Sequence, residues 1–316
     1  MSSKPELLTV ARLAPFLMAP LQDAFTVHER LHEEDVAAFA RLAPGIRAIC
    51  GSGESKVSAE LIAWLPALEI ISIMGVGYDG VDVAAAKARG VMVSHTPDVL
   101  NDDVADLALA LMLNVARRIP QADQYVRQGR WPGGPMPLAR KMSGARLGIV
   151  GMGRIGQAIA DRARAFGMSI AYSARNAKPA LAYAFHATPR ELAAVSDFLV
   201  VITPGGAATR KLIDAEVLRA LGPDGYLINV ARGSVVDEAA LIAALQQGTI
   251  AGAGLDVFEN EPQVPEALRA LDNVVLVPHI GSATTQTRHA MAARAFANLQ
   301  AHFAGTTLPS PVPECR

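Results

Sequence analysis

Cysteine is scarce in this sequence: only Cys50 and Cys315 occur among 316 residues. They lie far apart and form no C-x-x-C pair, which argues against a disulfide framework and against a cysteine metal site. We therefore expect no bound metal, and a reducing, cytoplasmic location.

Charge is also limited: charged residues make up 19% of the chain and the formal net charge is −1. A nucleic-acid-binding chain usually shows a basic excess or patch, so we expect no nucleic-acid partner. Long apolar runs are missing as well. The most apolar segment, Ala105 to Ala116, contains Asp106 and Asn114 and is too short to span a bilayer. We expect no membrane partner.

Hydrophobic residues, by contrast, make up 51% of the chain, enough to bury sizeable cores. The length predicts about two domains at roughly 150 residues each. Short apolar runs alternate with helical patterns, which indicates α/β domains with parallel sheets. The predicted strands are Leu7–Val10, Ile46–Cys50, Glu69–Ile73, Val91–Val93, Arg146–Val150, Ser169–Ser173, Phe198–Ile202, Tyr226–Val230, Gly252–Val257 and Val274–Val277.

Two long helical patterns frame the second series of strands. One runs from about Asn101 to Gln128 and is followed by a Gly/Pro-rich loop that contains Trp131. The other runs from about Thr285 to Phe303. If this last helix packs on the first domain, that domain is discontinuous in sequence.

A glycine-rich turn, Gly151 to Gly156, directly follows the predicted strand Arg146–Val150. A lone G-x-G-x-x-G match is weak, but here a strand precedes it and helix-compatible sequence follows it. Such glycines allow a tight turn and close approach of a pyrophosphate to the backbone at a helix N-terminus. The turn therefore predicts a dinucleotide site.

The residues after the next strand indicate which dinucleotide is preferred. An NAD site usually places an acidic residue about 20 positions beyond the first glycine, on the ribose 2′-hydroxyl. This stretch has no acid and carries Ser173 and Arg175 instead. A hydroxyl and a guanidinium both donate to phosphate, so we expect NADP(H) to be preferred, with NAD(H) possible.

Three further polar residues follow apolar runs downstream of the turn: Arg232, Glu261 and His279. The carboxyl ends of parallel strands open onto a ligand crevice, so these side chains are expected to face one site. A cation, an acid and an imidazole suit acid–base chemistry on a small anion.

With these residues in place, the chain resembles the D-isomer-specific 2-hydroxyacid dehydrogenase family, and within it the NADPH-dependent glyoxylate/hydroxypyruvate reductases. The resemblance covers almost the whole chain and is weaker in the first sixty or so residues. The matching segments are Gly75–Asp79, Thr96–Leu100, Val104–Asp106, Gly151–Gly156, Asn229–Gly233, Asp256–Pro262 and Pro278–Thr284.

The resemblance implies two Rossmann/flavodoxin-like parallel-sheet domains with the active site in the interdomain cleft. Residues 1–98 and 286–316 would form the substrate-binding domain, and residues 99–285 the coenzyme-binding domain. Family members are usually homodimers, so we expect a homodimer. In related reductases an aromatic residue of the Gly/Pro loop region reaches the neighbouring active site, and Trp131 is a candidate for that role.

The resemblance also assigns roles. Arg232, Glu261 and His279 match the catalytic trio, with His279 as the general acid in reduction, Glu261 orienting it and favouring its charged form, and Arg232 holding the substrate carboxylate. The expected substrate-binding residues are Met74, Gly75, Val76, Gly77, Arg232 and Ser282. The expected cofactor-binding residues are Gly151, Met152, Gly153, Arg154, Ile155, Gly156, Ser173, Arg175, Thr203, Pro204, Val230, Ala231, Asp256 and His279.

Other functions are less compatible with the residues. Formate dehydrogenases carry Gln at the position of Glu261, and an NAD-linked D-lactate dehydrogenase would show an acid near Ser173. The expected reaction is reduction of glyoxylate or hydroxypyruvate to glycolate or D-glycerate. Reduction of bulkier, phenylpyruvate-type keto acids is one alternative. A nucleotide-sensing protein without catalysis, like some corepressors with this fold, is the other.

Overall fold

The computed structural model describes residues 4–316, which form two compact units. The first, called here the terminal unit, contains residues 4–100 and 284–316. The second, called the central unit, contains residues 101–283. The terminal unit is thus assembled from both ends of the chain.

The strands, numbered along the chain, are β1 (Glu6–Thr9), β2 (Thr26–Glu29), β3 (Ile46–Ser52), β4 (Ile70–Met74), β5 (Met92–Ser94), β6 (Arg146–Val150), β7 (Ser169–Ser173), β8 (Ala184–His186), β9 (Phe198–Val201), β10 (Tyr226–Asn229), β11 (Gly252–Leu255) and β12 (Val274–Leu276). The α-helices are α1 (Pro15–Ala24), α2 (Leu31–Glu34), α3 (Val36–Leu42), α4 (Ala59–Trp64), α5 (Val83–Ala88), α6 (Asn101–Arg117), α7 (Ile119–Arg127), α8 (Arg154–Ala165), α9 (Pro189–Ala193), α10 (Ala215–Leu221), α11 (Glu238–Gln246), α12 (Glu266–Arg269) and α13 (Thr285–Phe303).

The terminal unit is built on a parallel sheet with strand order β2-β1-β3-β4-β5. This is the order of flavodoxin-like folds. The central strands β3 and β4 are buried almost throughout, because helices cover both faces of such a sheet. Helix α13 packs on β4 and α1, so the C-terminal segment completes this unit.

The central unit is built on a parallel sheet with strand order β12-β11-β10-β9-β6-β7-β8. The order reverses at β6 and β9, as in the doubly wound Rossmann fold, and ligands bind outside the strand ends at such a switch point. Helix α6 packs against β10, β11 and β12. Its buried stripe of Val104, Ala108, Leu111 and Val115 has the spacing of one helix face.

Two parallel-sheet α/β domains were predicted from the alternating pattern, and the structure confirms them. The edge strands β2 and β8 were missed because their residues are mostly exposed or half-buried and form no apolar run. The single long helix predicted from Asn101 to Gln128 was wrong. It breaks at Arg118, which has a left-handed φ of 52°, and α7 restarts with Pro120 in its first turn.

The two cysteines are both free, and Cys50 is fully buried in β3. Burial raises the pKa of the Cys50 thiol to about 12, so it stays a neutral apolar side chain. Within residues 4–316, none of the helices is long and apolar enough to cross a bilayer.

Candidate active site

Five strands of the central sheet end in residues that the sequence analysis singled out. Gly151 follows β6, Thr203 follows β9, Arg232 follows β10, Asp256 follows β11 and His279 follows β12. All these strands are parallel and adjacent in the sheet, so their carboxyl ends lie along one edge. We call this the carboxyl edge of the central sheet; it contains the candidate active site.

The three glycines of the turn at this edge have different surroundings. Gly151 adopts φ 105°, and a Cβ there would lie 2.7 Å from the carbonyl oxygen of Ile202. A Cβ on Gly156 would collide with the carbonyl oxygen of Gly151, so this glycine allows close packing of α8 on the turn. Gly153 is different: it is exposed, and no atom lies within 4 Å of where its Cβ would be. Its backbone is therefore open to a ligand at the N-terminus of α8, which no side chain caps.

Ser173 and Arg175 lie beside this turn. The Ser173 carbonyl accepts a hydrogen bond of 2.8 Å from the Gly151 N–H, so the two strand ends are joined. Ser173 is buried at the end of β7, and Arg175 is exposed two residues later. Their role in holding a 2′-phosphate remains a prediction.

The remaining residues of the predicted cofactor set lie in the same part of the sheet. Thr203 donates its hydroxyl to the carbonyl of Pro204 at 2.9 Å, which shapes the turn after β9. Val230 and Ala231 are buried and lead from β10 to Arg232. The structure thus places these residues at the carboxyl edge.

The turn that presents Arg232 is held by Asn229, a residue to which the sequence analysis gave no role. The Asn229 amide oxygen accepts the Ala231 N–H at 3.1 Å, and its Nδ2 donates to the Arg232 carbonyl at 3.0 Å. Asn229 is only 1% exposed, so this amide is fixed by packing as well as by hydrogen bonds. Arg232 donates through Nη1 to the Ala231 carbonyl at 2.8 Å.

Gly233 brings this turn against the segment that carries Glu261. A Cβ at Gly233 would collide with the carbonyl group of Phe258 and the amide nitrogen of Glu259. The two backbones are in direct contact, so a glycine is required there even though its φ is ordinary.

We expect Gly233→Ala to lower the free energy of unfolding by about 2 kcal/mol, because the added methyl must push two backbone segments apart. The activity loss should exceed what the unfolded fraction explains, since Arg232 and Glu261 move with those segments. Thermal unfolding and kcat/KM of the same preparations check this. Gly153→Ala, whose Cβ would meet open space, is the matched control for stability. Equal stabilities for the two variants would contradict the prediction.

Glu261 and His279 form the central pair of the site. The Nδ1 atom of His279 lies 2.7 Å from one carboxylate oxygen of Glu261. The other oxygen accepts the Phe258 N–H at 2.8 Å, so both oxygens are occupied. Because a carboxylate only accepts, the proton of this hydrogen bond is on Nδ1, which assigns the tautomer. Both side chains are about one quarter exposed, at 27% for His279 and 22% for Glu261.

Glu259, the other acid of this segment, is held elsewhere. Its carboxylate lies 3.3 Å from the guanidinium of Arg210. Its backbone N–H donates to Glu238 at 3.2 Å. The structure therefore pairs Glu261, not Glu259, with the imidazole.

Asp256 fixes the backbone around His279. Its two carboxylate oxygens accept the N–H groups of Ile280 at 2.6 Å and Gly281 at 2.9 Å. His279 itself has a left-handed φ of 51°, an uncommon conformation for a residue with a side chain and one that accumulates at functional sites. Burial raises the pKa of the Asp256 carboxyl, and the two N–H donors oppose that shift. That Asp256 also binds the nicotinamide carboxamide remains a prediction.

The predicted substrate residues are placed as follows. Ser282 is half-buried three residues after His279 in the central unit. Met74 ends β4 of the terminal unit, and Gly75 and Gly77 follow it. A Cβ at Gly75 would lie 2.8 Å from the Cα of Gly53, so this loop packs closely on the backbone after β3.

Sequence reasoning missed the residues that hold the trio in place. Asn229 and the Phe258 N–H act within their own turns, each on a residue three positions away, whereas Gly233 contacts the backbone of Phe258 and Glu259 in another segment. Asn229 was visible only as the start of the matching segment Asn229–Gly233. No local pattern indicates the contact made by Gly233.

The fold is similar to that of solved structures. The crystal structure of the NADPH-dependent glyoxylate/hydroxypyruvate reductase from Sinorhizobium meliloti, in complex with NADP and malonate, matches with a TM-score of 0.94 and 47% identity. The match covers 99% of this chain and 98% of that one.

Two sequence relatives are named for different keto acids. Hydroxyphenylpyruvate reductase from Plectranthus scutellarioides is 52% identical over 270 residues, which are 85% of this chain and 86% of the relative. The 2-ketogluconate reductase from Gluconobacter oxydans is 45% identical over 312 residues, which are 99% of this chain and 100% of the relative.

The family profile described as D-isomer specific 2-hydroxyacid dehydrogenase, NAD binding domain, matches residues 109–281, more than half of the chain. The match spans most of the central unit, including the glycine turn and the strand ends with Arg232, Glu261 and His279. This chain is a member of the D-isomer specific 2-hydroxyacid dehydrogenase family.

Proposed function

We propose that this enzyme reduces small 2-keto acids, glyoxylate and hydroxypyruvate, to the corresponding 2-hydroxy acids with NADPH. The observation that carries the proposal is the 2.7 Å pair of His279 Nδ1 and Glu261, held at the same carboxyl edge of a Rossmann sheet that carries the glycine turn. Such a pair can deliver a proton to an oxygen while a bound dinucleotide supplies a hydride to the adjacent carbon.

The cofactor proposal is supported by the fit of the turn. The open backbone of Gly153 and the uncapped N-terminus of α8 suit a pyrophosphate. Ser173 and Arg175 offer a hydroxyl and a guanidinium to a 2′-phosphate. The Sinorhizobium meliloti relative was crystallised with NADP, which agrees with this assignment.

The proton comes from His279. Since Nδ1 is committed to Glu261, Nε2 is the ring atom that gives its proton to the substrate oxygen in reduction and takes it back in oxidation. Glu261 keeps the ring in one orientation and compensates the positive charge of the imidazolium.

The substrate carboxylate requires donors. Arg232 provides a planar guanidinium that can bind it with two parallel hydrogen bonds. We propose backbone N–H groups of the loop after β4, at Val76 and Gly77, as further donors. Both kinds of donor are selective for an anion over a neutral aldehyde.

The proposal is tested by oxidation of NADPH and NADH with glyoxylate, hydroxypyruvate, pyruvate and phenylpyruvate. Rapid turnover of NADPH with the first two acids supports it. Preference for NADH keeps the enzyme class and rejects the 2′-phosphate assignment. Binding of nucleotide without turnover of any keto acid favours a sensing role and rejects the proposal.

A second candidate, reduction of bulkier keto acids, is favoured by one observation. The relatives named for hydroxyphenylpyruvate and 2-ketogluconate are 52% and 45% identical to this chain. Adding 4-hydroxyphenylpyruvate and 2-ketogluconate to the assay separates the candidates, since kcat/KM ranks the acids directly.

The 2′-phosphate assignment gives a specific expectation for Arg175→Ala. We expect KM for NADPH to rise about 20-fold and KM for NADH to stay within about twofold, because only NADPH carries the 2′-phosphate proposed as the partner of Arg175. Arg164→Ala, which removes the same charge from the last turn of α8, is the control. Parallel changes in both cofactors would show that Arg175 acts on stability or on the shared part of the nucleotide.

We also propose a homodimer. Four large apolar side chains between residues 119 and 138 are exposed in the single chain: Ile119 at 45%, Val126 at 56%, Trp131 at 66% and Leu138 at 100%. Such a concentration is typical of an interaction surface. Analytical ultracentrifugation should give twice the chain mass of 33.2 kDa, and Leu138→Asp should shift the species toward monomer. A monomeric wild type would reject the proposal.

A further inference from the structure

Two consecutive carbonyl groups in the loop after β4 accept hydrogen bonds from residues that follow β5. The Gly75 carbonyl accepts the Thr96 N–H at 2.8 Å. The Val76 carbonyl lies 3.0 Å from Nδ1 of His95. A carbonyl oxygen only accepts, so Nδ1 of His95 is the protonated ring nitrogen and donates this bond.

These two hydrogen bonds determine where the N–H groups of the same two peptides, those of Val76 and Gly77, point. A trans peptide is planar, and its C=O and N–H are directed to opposite sides. The only cis bond in residues 4–316 is at Pro262, so both peptides here are trans. With the Gly75 carbonyl directed at Thr96 and the Val76 carbonyl at His95, the N–H groups of Val76 and Gly77 point the other way. Among the described residues, neither N–H donates to a backbone carbonyl.

His95, which donates to the Val76 carbonyl, is itself held in place by its surroundings. It is 7% exposed, and the ring of Tyr78 meets its imidazole edge-on, with centroids 5.2 Å apart. Its own carbonyl accepts the Ser310 hydroxyl at 2.7 Å, and Ser310 is in turn bonded to the buried Asn298 of α13 at 2.9 Å. His95 thus connects the loop after β4 to the C-terminal part of the terminal unit.

We propose that His95 is a positioning residue for substrate binding: its Nδ1–H fixes the Val76 peptide so that the N–H groups of Val76 and Gly77 face the carboxylate of a 2-keto acid. The inference rests on the proposed function, because it takes the keto-acid carboxylate as the ligand of these N–H groups. His95 contacts neither cofactor nor substrate in this role. Without its donor, the Val76 peptide can rotate and the two N–H groups lose their common direction.

The test compares His95→Asn with His95→Leu. The two side chains have nearly the same shape, but only Asn can donate to the Val76 carbonyl. For His95→Leu we expect KM for glyoxylate to rise about tenfold, with kcat and the NADPH dissociation constant within about twofold of wild type. The inhibition constant of oxalate, a carboxylate probe, should rise by a similar factor. His95→Asn should restore both values to within about threefold.

Tyr78→Phe is the matched control, because it keeps the ring against His95 and removes only the hydrogen bonds to Glu314. It should leave KM for glyoxylate unchanged. Where His95→Leu does not fold, the pair His95→Gln and His95→Met makes the same comparison. Equal KM values for donor and non-donor variants overturn the inference. A wild-type protein that turns over no keto acid overturns the proposed function instead, so the two failures are distinguishable.

Discussion

His279→Ala should lower kcat for keto-acid reduction about 10³-fold while the NADPH dissociation constant stays within about twofold, as expected when a general acid is removed from an intact binding site. The hydride donor and the anion donors remain, but the developing alkoxide then has no proton source other than water. Stopped-flow measurement of NADPH oxidation, beside fluorescence titration of NADPH, separates the two quantities.

Because His279 has a left-handed backbone conformation, the test needs a second variant that tolerates it. Its φ of 51° strains an alanine, so a loss in His279→Ala could reflect a displaced loop. Asparagine tolerates this left-handed conformation better than other residues with side chains, yet it cannot act as a general acid. Both variants should therefore lose activity equally. Recovery in His279→Asn, or near-wild-type turnover in either variant, would contradict the assignment.

The parts of the site that could be predicted from the sequence are those that depend on local pattern. The glycine turn was visible because a buried strand, three glycines and a helix are contiguous there. Arg232 and His279 were visible because each follows an apolar run, and parallel strands end at the same edge of the sheet. The fold class followed from the same alternation, and the structure confirms it.

What could not be predicted depends on contacts between segments. The choice of Glu261 over Glu259 came from the family pattern; physically it depends on Arg210, 49 positions away, which pairs with Glu259, and on His279, 18 positions away, which pairs with Glu261. The break of the predicted long helix at Arg118 is different, because Pro120 just after it is a local signal that a helix should end there and a new one begin. Distances through space, not local sequence, decide which of the two glutamates pairs with His279.

Glu261→Gln should lower kcat/KM for glyoxylate about 10²-fold near neutral pH, through a mismatch of hydrogen-bond donors. The two carboxylate oxygens of Glu261 meet two donors, the Phe258 N–H and His279 Nδ1–H. A glutamine has one acceptor oxygen, so its NH₂ must face one of these donors. If it faces the ring, Nδ1 must give up its proton, and the remaining neutral imidazole is a far weaker acid. If it faces Phe258, the buried Phe258 N–H loses its acceptor; the amide oxygen still accepts Nδ1–H, but the ring no longer has a negative charge beside it.

The pH profile distinguishes this account from a simple loss of packing. Reduction uses the protonated ring, so kcat/KM for glyoxylate should fall as pH rises and the imidazolium is lost. Removing the negative charge of Glu261 disfavours the imidazolium, so in Glu261→Gln the fall should occur at lower pH than in wild type. Glu259→Gln, which removes a neighbouring acid that is paired with Arg210 instead, should keep the wild-type profile. Profiles recorded from about pH 5.5 to about pH 9, with NADPH saturating, cover the range in which an imidazole titrates. Superimposable profiles for wild type and Glu261→Gln would mean that the 2.7 Å contact orients the ring without influencing its charge.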